Sequence, residues 1–477
     1  MKKLNKMFAI ALLALSVLCL ASCGGAGNGG GSGNNGDEPI VINYWHANGA
    51  ELTAVLEKIE KSFEEKYEGK YDVVLTTYGD YDTLRDTITA SVMAGEAPTA
   101  AQTYPDHVAL YLYGQALQSL DKYINDPEYG MSKEEQAQFV DGFWAEGTIY
   151  DQEGTRYAMP FNKSTELMYY NQDLFEAQGW KVPQTWEEVV AICEAWKQTE
   201  NYANAVAANG ANAVYGMGYD SEANMFITLS QQYGANYTSF DAQGNGLFAA
   251  FGDVAADTAK SQQALSWFVD QYKKGNMATP TAFGAEYCSN AFLAGQCIMT
   301  IGSSAGATYN DGQKATAIDK FTTGVAPVPQ YDLNNKQVIQ QGTNVSLFIC
   351  DDEAEELGGW LWLKHMVSYE SALIWATNTS YFPIRKDVMA SQTYQDFLQG
   401  ITYTEDGIKI EGSVTIKSRA QTAGLQQADS YYTNIAFPGS SKARDEAGTI
   451  VQRILYSDPV VSVAQAYADA YNSIKNS

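Results

Sequence analysis

The sequence predicts an α/β protein with two domains, and three observations support this fold class. Segments with strand character alternate with segments of helical periodicity in the first part of the chain, which is typical of parallel α/β construction. The chain has 477 residues, enough for two domains at about 150 residues each. Hydrophobic residues make up 45% and charged residues 18% of the chain, and this composition is globular rather than disordered.

The first two strand–helix units are predicted between residues 40 and 98. Residues 40–45 (IVINYW) form a buried strand and residues 71–77 form a second strand. Apolar residues at helical spacing follow each strand. The first helix carries Leu52, Val55, Leu56, Ile59 and Phe63, and the second carries Leu84, Ile88 and Val92 before Gly95 and Pro98 end it.

Later elements have clear start and stop signals. Residues 167–170 have strand character, and a helix begins after Pro183, where Thr185 and Glu188 have the spacing of a capping box. The next helix contains Phe268 and ends at a Lys-Lys-Gly signal. We expect further helices over residues 353–368, 371–378 and 441–456.

The charge balance and the histidines exclude several classes of function. The chain has 30 Lys and Arg against 56 Asp and Glu, a net charge of −26. Nucleic acid is excluded as a partner because phosphate binding needs a basic face. The three histidines, His46, His107 and His365, are far apart in the sequence, which argues against a zinc site. We expect no metal and no cofactor.

The N-terminus has the pattern of an export signal. Lys2, Lys3 and Lys6 precede an apolar run over residues 7–20, which is too short for a permanent membrane span. The residues Leu20-Ala21-Ser22-Cys23 resemble a bacterial lipobox. In lipoproteins of that kind the cysteine becomes the first mature residue and carries a diacylglycerol. The alternative is an ordinary cleaved signal, which would release a soluble secreted protein.

The lipobox predicts a signal peptide over residues 1–22 and a lipid-anchored, Gly-rich tether over residues 23–38. Cleavage before Cys23 removes three lysines and no acid, so the net charge changes from −26 to −29. We therefore expect the mature protein at the outer face of the cell membrane, held there by acyl chains such as palmitate.

Four cysteines remain after cleavage and lipidation: Cys193, Cys288, Cys297 and Cys350. Their spacing matches no metal or redox motif. Cys193 lies on the apolar face of the helix that begins near Thr185, where a buried thiol is expected. Disulfides form in exported proteins, so a bridge between Cys288 and Cys297 is an alternative that the sequence does not decide. We expect these thiols to be mainly structural.

Several segments together resemble the family 1 extracellular solute-binding proteins of ABC importers, of the carbohydrate or glycerol-3-phosphate type. The segments are Trp45-His46, MAGEAP (93–98), YAMPFNKST (157–165), YYNQDLF (169–175), FLAGQCIM (292–299), GVAPVP (324–329) and YFPIR (381–385). They occur in the order of that family between residues 40 and 390. The ordered set is specific, although each segment alone is weak.

The resemblance implies a two-lobe, periplasmic-binding-protein-like fold of type II with the ligand in the cleft between the lobes. Lobe 1 would comprise residues 39–162 and 301–378, and lobe 2 residues 163–300 and 379–477. The chain would cross between lobes near Asn162, Ile301 and Asn378. The resemblance also implies that a pair of permease subunits, coupled to a cytoplasmic ATPase, receives the ligand. We expect the binding protein to be a monomer.

A neutral sugar is the expected ligand. Aromatic rings cover the C–H faces of sugars, while carboxylate, amide and guanidinium groups bond their hydroxyls. Open α/β sheets bind ligands at strand-to-helix turns. From these positions and the resemblance, the candidate ligand-binding residues are Trp45, His46, Tyr81, Tyr104, Asp106, Asn162, Ser164, Ser303, Ser304, Gln341, Gly342, Asn344, Tyr381, Arg385 and Arg444.

Glycerol 3-phosphate or a glycerophosphodiester is the alternative ligand. The residues Ala97-Pro98 and Gln102-Thr103-Tyr104, together with FNKST (161–165), resemble that branch of the family. The branch places a late arginine on the phosphate, and Arg444 is the matching candidate. A net charge of −29 after cleavage opposes an anionic ligand at long range. The sequence therefore favours a sugar over a phosphate.

Two enzyme hypotheses have less support in the sequence than a binding protein. Residues 302–306 (GSSAG) match the G-x-S-x-G elbow of α/β-hydrolases, with Ser304 as nucleophile and His365 as the histidine downstream. However, Asn310-Asp311-Gly312 breaks the helix that should follow. A secreted glycosidase needs two facing carboxylates, but 56 acidic residues make any pairing uninformative. We therefore expect a binding protein and not an enzyme.

Overall fold

The structure is a computed structural model that describes residues 38–403 and 409–476. The expected signal peptide, the lipidation candidate Cys23 and all but the last residue of the expected tether lie outside these residues. In the part of the chain that is described, no helix combines the length and the apolar character needed to cross a membrane.

The described residues alternate between strands and helices as the sequence predicts. The strands are β1 (Ile40–His46), β2 (Tyr71–Thr77), β3 (Ala100–Thr103), β4 (Met159–Asn171), β5 (Met217–Tyr219), β6 (Ser239–Phe240), β7 (Gly246–Leu247), β8 (Met277–Ala278), β9 (Met299–Ser303), β10 (Thr323–Ala326), β11 (Val338–Leu347), β12 (Ile401–Tyr403), β13 (Lys409–Glu411) and β14 (Tyr431–Tyr432).

The helices follow the same chain order. They are α1 (Ala50–Tyr67), α2 (Tyr81–Ala94), α3 (Pro105–Tyr113), α4 (Asp121–Ile124), α5 (Lys133–Gln136), α6 (Asp141–Ala145), α7 (Gln172–Gln178), α8 (Trp186–Trp196), α9 (Glu200–Asn209), α10 (Glu222–Gln232), α11 (Ala255–Lys273), α12 (Pro280–Phe283), α13 (Cys288–Leu293), α14 (Glu353–Met366), α15 (Tyr369–Asn378), α16 (Lys386–Ala390), α17 (Gln392–Leu398), α18 (Ile416–Gln426), α19 (Ser440–Tyr456) and α20 (Val463–Lys475).

The first core forms around the parallel strands β1, β2 and β3. Helix α1 buries Val55, Leu56, Ile59 and Phe63, as its predicted stripe requires. These side chains pack against buried residues of β1 and β2 and against Trp360 of α14 in one apolar cluster. The predicted strand–helix order of this region is confirmed.

The second core forms around strands β9, β5 and β8, which are parallel to one another. The capping box predicted at the start of α8 is present, with the Thr185 hydroxyl and the Glu188 carboxylate each accepting a backbone N–H. The α8 side chains Val189, Cys193 and Trp196 are fully buried in this core. The helix predicted over residues 441–456 is also present, as α19, and it packs on the same core.

Strands β4 and β11 connect the two cores. Residues 159–165 of β4 pair with β11, and residues 166–170 pair with β9. Strand β11 pairs with β3 at one end and sends Val338 into the second core at the other. The order of the main sheet is therefore β2-β1-β3-β11-β4-β9-β5-β8, and both cores share it.

The cores divide the chain differently from the expected lobe segments. Ala315 and Phe321, expected in lobe 1, pack in a cluster with Leu167 of β4 and residues beside β5 and β8. Phe382, expected in lobe 2, lies in the first core. The physical reason is that β9, which contains Ile301, pairs only with strands in the second half of the sheet, β4 and β5. The chain therefore returns to the first core through β11 and not through the segment near Ile301.

The four described cysteines are all free. The bridge between Cys288 and Cys297 that the sequence left open is therefore absent, although both side chains are buried. Cys193 is fully buried in the second core, as expected. Burial raises the pKa of Cys193 to about 12, so its thiol is protonated at neutral pH and behaves as a small apolar side chain.

Candidate functional site

Two adjoining cavities lie between the first and second cores. The inner cavity, of about 80 Å³, is lined by Tyr104, Pro105, Asp106, Glu146, Tyr237, Ile339, Gln340, Gln341, Gly342, Thr433, Asn434, Ile435, Ala436, Ser440 and Arg444. The outer cavity, of about 430 Å³, is lined by Asp80, Tyr81, Asp82, Arg85, Tyr104, Asp106, His107, Ser221, Glu222, Ala223, Arg444, Asp445 and Gly448. Tyr104, Asp106 and Arg444 line both, so the two cavities are neighbours.

The turn between β3 and α3 supplies the wall on the side of the first core. Pro105 occupies the first turn of α3 and Tyr104 is its N-cap residue, a position where proline costs no backbone hydrogen bond. This turn directs Tyr104 and Asp106 into both cavities. It lies at the carboxyl end of a parallel strand, where the sequence predicted ligand contacts.

Asp106 links the two sides of the cleft. The Ser441 hydroxyl of α19 donates a hydrogen bond of 2.8 Å to its carboxylate. Burial alone would raise the pKa of Asp106, but the charges of His107 and Arg444 and the hydrogen bond from Ser441 hold it below its ordinary value. Asp106 is therefore ionised at neutral pH and available as an acceptor.

Helix α19 supplies the opposite wall. It follows Gly439, which has a φ of 95° and N-caps the helix, a left-handed conformation that glycine adopts without steric cost. Arg444, one turn into α19, donates a hydrogen bond of 2.5 Å to the side-chain oxygen of Asn224 in α10. This contact fixes the guanidinium at the junction of the inner and outer cavities.

Strand β11 forms the floor of the inner cavity at Gln341 and Gly342. Gly342 has a φ of 96°, and a Cβ built there would overlap the carbonyl oxygen of Asn162 in β4. Only glycine fits this close approach of two backbones. Gly342 therefore acts through its backbone, whereas Gln341 presents its side chain.

Three buried side-chain oxygens around the inner cavity have no hydrogen-bond partner among the described residues. They are Oη of Tyr237, Oε1 of Gln341 and Oδ1 of Asn434. Tyr237 is only 3% exposed. Buried polar atoms are almost always hydrogen-bonded in proteins, and leaving one unpaired costs about 1–3 kcal/mol. A ligand with hydroxyl groups in this cavity would satisfy all three.

Aromatic rings flank the cleft on the side of the first core. Tyr81 and Tyr104 contact each other edge to face with ring centroids 4.9 Å apart. Burial raises the pKa of Tyr81, while the neighbouring Tyr381 and Asn162 side chains act in the opposite direction. These four residues, all predicted from the sequence, form one connected wall, although Tyr381 and Asn162 stand behind the rings that line the cavities.

The outer cavity is rich in carboxylates. Arg85 is already bound to Asp82 at 3.0 Å and to Asp86 at 2.8 Å. Burial lowers the pKa of His107, although Asp106 acts in the opposite direction. Arg444 is therefore the principal cation facing the carboxylates that remain, among them Asp106 and Asp445. The cavity has no excess of positive charge.

A buried polar network lies beside the inner cavity, here called the hinge network. It consists of Glu146, Lys163, Gln340 and Asn344. Glu146 forms an ion pair with Lys163 and accepts hydrogen bonds of 2.9 Å from Gln340 and Asn344. It joins β4 and β11 to the segment that follows α6, where the two strands pass between the cores. The predicted residue Asn344 thus serves this network.

Several predicted residues lie away from the two cavities. Trp45 packs on Tyr78 with ring centroids 5.2 Å apart, and His46 is fully buried at the end of β1. Burial lowers the pKa of His46 to about 4, so the ring is neutral. Ser164 is buried opposite Gln341 in the β4–β11 pair. We do not retain these three as ligand contacts.

Arg385 also lies outside the site. Its guanidinium forms two hydrogen bonds, of 3.0 and 2.7 Å, with the Asp387 carboxylate and donates to the Val367 carbonyl. It stacks over Phe139 of the first core at 5.4 Å. The prediction of a ligand contact at Arg385 is corrected, because its charge is used within the fold.

The G-x-S-x-G segment does not form a hydrolase site. Ser304 is fully buried, and its hydroxyl accepts a hydrogen bond from the Thr165 backbone at 3.2 Å. The His365 ring bonds Ser62 at 2.8 Å instead. A short 3₁₀ helix follows β9 where an elbow needs an α-helix. Ser303 lines a separate cavity.

Sequence reasoning missed Tyr237, Asn434 and Glu146. Tyr237 and Asn434 lie in connections after α10 and β14, and no local pattern marks such positions as facing a cleft. Lys163 lies in a segment that resembles the family, but no sequence motif includes its partner Glu146. In residues 38–403 and 409–476, no group of His, Cys, Asp and Glu side chains has a geometry that could hold a metal ion.

Comparisons with known proteins agree with this architecture. The sequence profile of a family described as bacterial extracellular solute-binding protein matches residues 58–398. The chain is 26% identical over 369 residues to the sn-glycerol-3-phosphate-binding periplasmic protein UgpB of Shigella dysenteriae serotype 1 (strain Sd197), covering 74% of this chain and 76% of that protein.

Two solved structures share the fold. UgpB from Mycobacterium tuberculosis in complex with glycerophosphocholine superposes with a TM-score of 0.69 at 16% identity, covering 92% of this chain and 98% of that one. MalE from Bdellovibrio bacteriovorus bound to maltotriose gives a TM-score of 0.67 at 15% identity, covering 92% and 99%. The expected two-lobe, periplasmic-binding-protein-like fold is confirmed.

Proposed function

Because the chain belongs to the bacterial extracellular solute-binding protein family, we propose that it captures a neutral mono- or oligosaccharide for an ABC importer. The ligand occupies the inner and outer cavities between the lobes. It is released unchanged to the permease subunits, which a cytoplasmic ATPase drives. The proteins that this chain resembles are binding proteins rather than enzymes.

The unpaired oxygens of the inner cavity are the observation that carries this proposal. Tyr237, Gln341 and Asn434 each present a buried oxygen without a partner in the described residues. Amide and phenol oxygens accept hydrogen bonds from hydroxyl groups, and the adjoining Tyr81 and Tyr104 rings suit the C–H faces of a sugar. A polyhydroxylated, uncharged ligand satisfies both features at once.

Glycerol 3-phosphate or a glycerophosphodiester is the alternative ligand, and Arg444 supports it. This guanidinium faces both cavities. Of the similar UgpB proteins, that of Shigella dysenteriae is a glycerol-3-phosphate-binding protein and that of Mycobacterium tuberculosis was solved with glycerophosphocholine. Asp106 and Asp445 oppose it, because both line the outer cavity beside Arg444 and repel an anion. A structurally similar protein binds maltotriose, so the fold accommodates either class.

A thermal-shift screen of the full chain distinguishes the two ligands. The panel contains maltose, maltotriose, cellobiose, glucose, sn-glycerol 3-phosphate and glycerophosphocholine. A ligand at a hundredfold its dissociation constant adds about 2.7 kcal/mol to the unfolding free energy. We expect stabilisation by at least one saccharide and by neither phosphate. Stabilisation by a phosphate alone would reverse the assignment, and the absence of any shift would reject both.

Closure of the lobes is the proposed mechanism of capture. We propose that β4 and β11 form two of the hinge strands, since their side chains enter both cores. On this packing, lobe 1 comprises about residues 39–161 and 343–398, and lobe 2 about residues 164–341 and 416–476. A ligand that contacts both lobes favours the closed state by the difference in its affinity for the two states.

We further propose that Cys23 anchors the protein at the outer face of the cell membrane. The lipobox pattern and the Gly-rich segment after it support this proposal. Expression of the wild-type chain and of a Cys23→Ala variant, with a palmitate analogue as metabolic label, tests it. We expect label and membrane association in the wild type alone. Equal labelling of both proteins, or release of both into the medium, would contradict the anchor.

A further inference from the structure

A third cavity lies within the proposed lobe 2, at the carboxyl ends of β5 and β9. It has a volume of about 610 Å³ and shares no lining residue with the inner or outer cavity. Asp220 follows β5 and Ser303 ends β9, and the two strands are parallel. The cavity is called the tyrosine pocket here, and is defined by Asp220, Tyr287, Asn290, Ser303, Tyr309 and Asn310.

Two exposed tyrosines stand at the rim of this pocket. Tyr287 is 52% exposed and Tyr309 is 69% exposed, so neither ring contributes its full area to the core. Burial and the neighbouring charges of Glu286 and Asp220, with a smaller effect from the Tyr309 phenol, raise the pKa of Tyr287. All four groups line the pocket. Large exposed aromatic rings beside a concave surface are typical of recognition sites.

The interior of the pocket presents an unpaired acceptor. Asn310 is 5% exposed, and its side-chain nitrogen donates a hydrogen bond of 3.2 Å to the Gly306 carbonyl. Its Oδ1 is buried and has no hydrogen-bond partner among the described residues. The Asp220 carboxylate, held by a hydrogen bond of 2.7 Å from the Cys288 backbone, supplies a further acceptor. Both groups suit hydroxyl donors.

We propose that the tyrosine pocket is a second saccharide-binding site, independent of the cleft. The Tyr287 and Tyr309 rings cover the C–H faces of a sugar, while Asn310 and Asp220 accept hydrogen bonds from its hydroxyls. The carboxylates of Asp220 and Glu286 outnumber the one cation in the lining, Lys314, so a neutral sugar is favoured over an anion. Because every lining residue lies between residues 220 and 314, within the proposed lobe 2, binding needs no closure of the lobes.

This site also accounts for the G-x-S-x-G segment that the cleft does not use. Ser303 and Gly306 of that segment line the pocket, and the Ser303 hydroxyl accepts a hydrogen bond from the Ala305 backbone at 3.2 Å. The tight 3₁₀ segment 304–310 carries Tyr309 and Asn310 to the rim and the interior. The small residues thus shape a binding surface rather than a nucleophile elbow.

An array of immobilised gluco-oligosaccharides, α- and β-linked, probed with the labelled full chain tests the proposal. Five proteins are compared: the wild type, a Tyr237→Ala, Asn434→Ala cleft variant, a Tyr287→Ala, Tyr309→Ala pocket variant, a variant that combines the cleft and pocket substitutions, and Tyr113→Ala. Tyr113 is 77% exposed and distant in sequence, so it controls for the loss of an exposed tyrosine. Thermal unfolding of each variant checks that it is folded.

The cleft variant should keep binding to at least one saccharide, and adding the pocket substitutions should weaken that binding by about tenfold or more. Tyr113→Ala should bind like the wild type. Loss of all binding in the cleft variant, or retained binding that the pocket substitutions leave unchanged, would overturn the second site. Failure of the proposed cleft function appears differently, as wild-type binding that the Tyr237 and Asn434 substitutions do not affect.

Discussion

Two neighbouring sets of buried polar side chains in this protein, the hinge network and the lining of the inner cavity, differ in their hydrogen bonding. In the hinge network, Glu146 bonds Lys163, Gln340 and Asn344 at once. In the inner cavity, Gln341, the next residue along β11, has a buried oxygen without a partner. The Glu146 carboxylate, whose partners all belong to the protein, stabilises the fold, although Oδ1 of Asn344 in the same network has no partner among the described residues. The unpaired oxygen of Gln341 belongs to a side chain that lines the inner cavity, where it is available to a ligand.

The hinge network should give the largest effect on stability. In Lys163→Met, Glu146 would remain as a buried charge without its cation, which costs about 3–5 kcal/mol. We expect the unfolding free energy, measured with urea, to fall by about this amount. The double variant Lys163→Met, Glu146→Gln should recover part of the loss, because it removes the unpaired charge. A single variant as stable as the wild type would show that the ion pair does not hold the hinge.

Glu166 provides a second test, because it is a buried carboxyl on β4 that has hydrogen bonds but no ion-pair partner among the described residues. Burial raises its pKa to about 7, while hydrogen bonds from Tyr219, Asn224 and Thr228 act in the opposite direction. The folded state therefore binds an additional proton between about pH 4.5 and 7. Its contribution to stability is greatest at low pH and is lost as the pH rises through this window, by about 3 kcal/mol at most.

Urea unfolding at pH 5 and pH 8 measures this contribution. We expect the wild type to lose more stability between the two pH values than Glu166→Gln, which cannot titrate. The comparison between the two proteins cancels the contributions of other groups, including His46. An equal pH dependence in the two proteins would contradict the raised pKa.

A matched pair of tyrosines tests the contrast between satisfied and unsatisfied groups directly. The Tyr219 hydroxyl donates a hydrogen bond of 2.5 Å to Glu166, whereas the Tyr237 hydroxyl has no partner in the described residues. We expect Tyr219→Phe to reduce the unfolding free energy by about 1–3 kcal/mol. Tyr237→Phe should not reduce the unfolding free energy of the unliganded protein, because the buried hydroxyl that it removes has no partner to lose, and it should weaken ligand binding by about fivefold.

Denaturant unfolding and isothermal titration of both variants, with the saccharide that the thermal-shift screen identifies, measure these effects. If Tyr237→Phe were the less stable variant and bound the ligand like the wild type, the two hydroxyls would have the opposite roles to those proposed.

The hydrogen bond across the cleft should have the smallest effect. Ser441→Ala removes the donor to Asp106, a contact that joins the proposed lobe 2 to the proposed lobe 1. We expect ligand affinity to fall by about threefold. Ser473→Ala is the control, because Ser473 bonds Glu446 within the second core and should leave affinity unchanged. Equal affinities of Ser441→Ala and the wild type would show that this bond does not contribute to closure.

Local signals predicted the elements well and the site only in part. The Thr185–Glu188 capping box and the α1 stripe depend on residues close in sequence, and both are present. Gly342 was identified by its segment, and its positive φ and the approach of β4 explain the glycine. Elements near in sequence are easier to predict because their hydrogen bonds are local.

The remaining site residues depend on contacts distant in sequence. Arg385 and Arg444 were both candidates, but only the structure reveals that Asp387 neutralises Arg385 while Arg444 faces the cleft. Tyr237 and Asn434 are 197 residues apart in numbering, and a hydrogen bond from the Thr238 hydroxyl to the Ile435 carbonyl joins their two segments beside the inner cavity. No pattern within either segment carries that information.

A crystal structure of the chain with the saccharide that stabilises it most is the most direct test of the account. We predict the sugar in the inner cavity, with hydroxyl groups within hydrogen-bonding distance of Tyr237 Oη, Gln341 Oε1 and Asn434 Oδ1. A complex in which these three oxygens remain unbonded while the sugar lies elsewhere would contradict the proposed capture in the cleft.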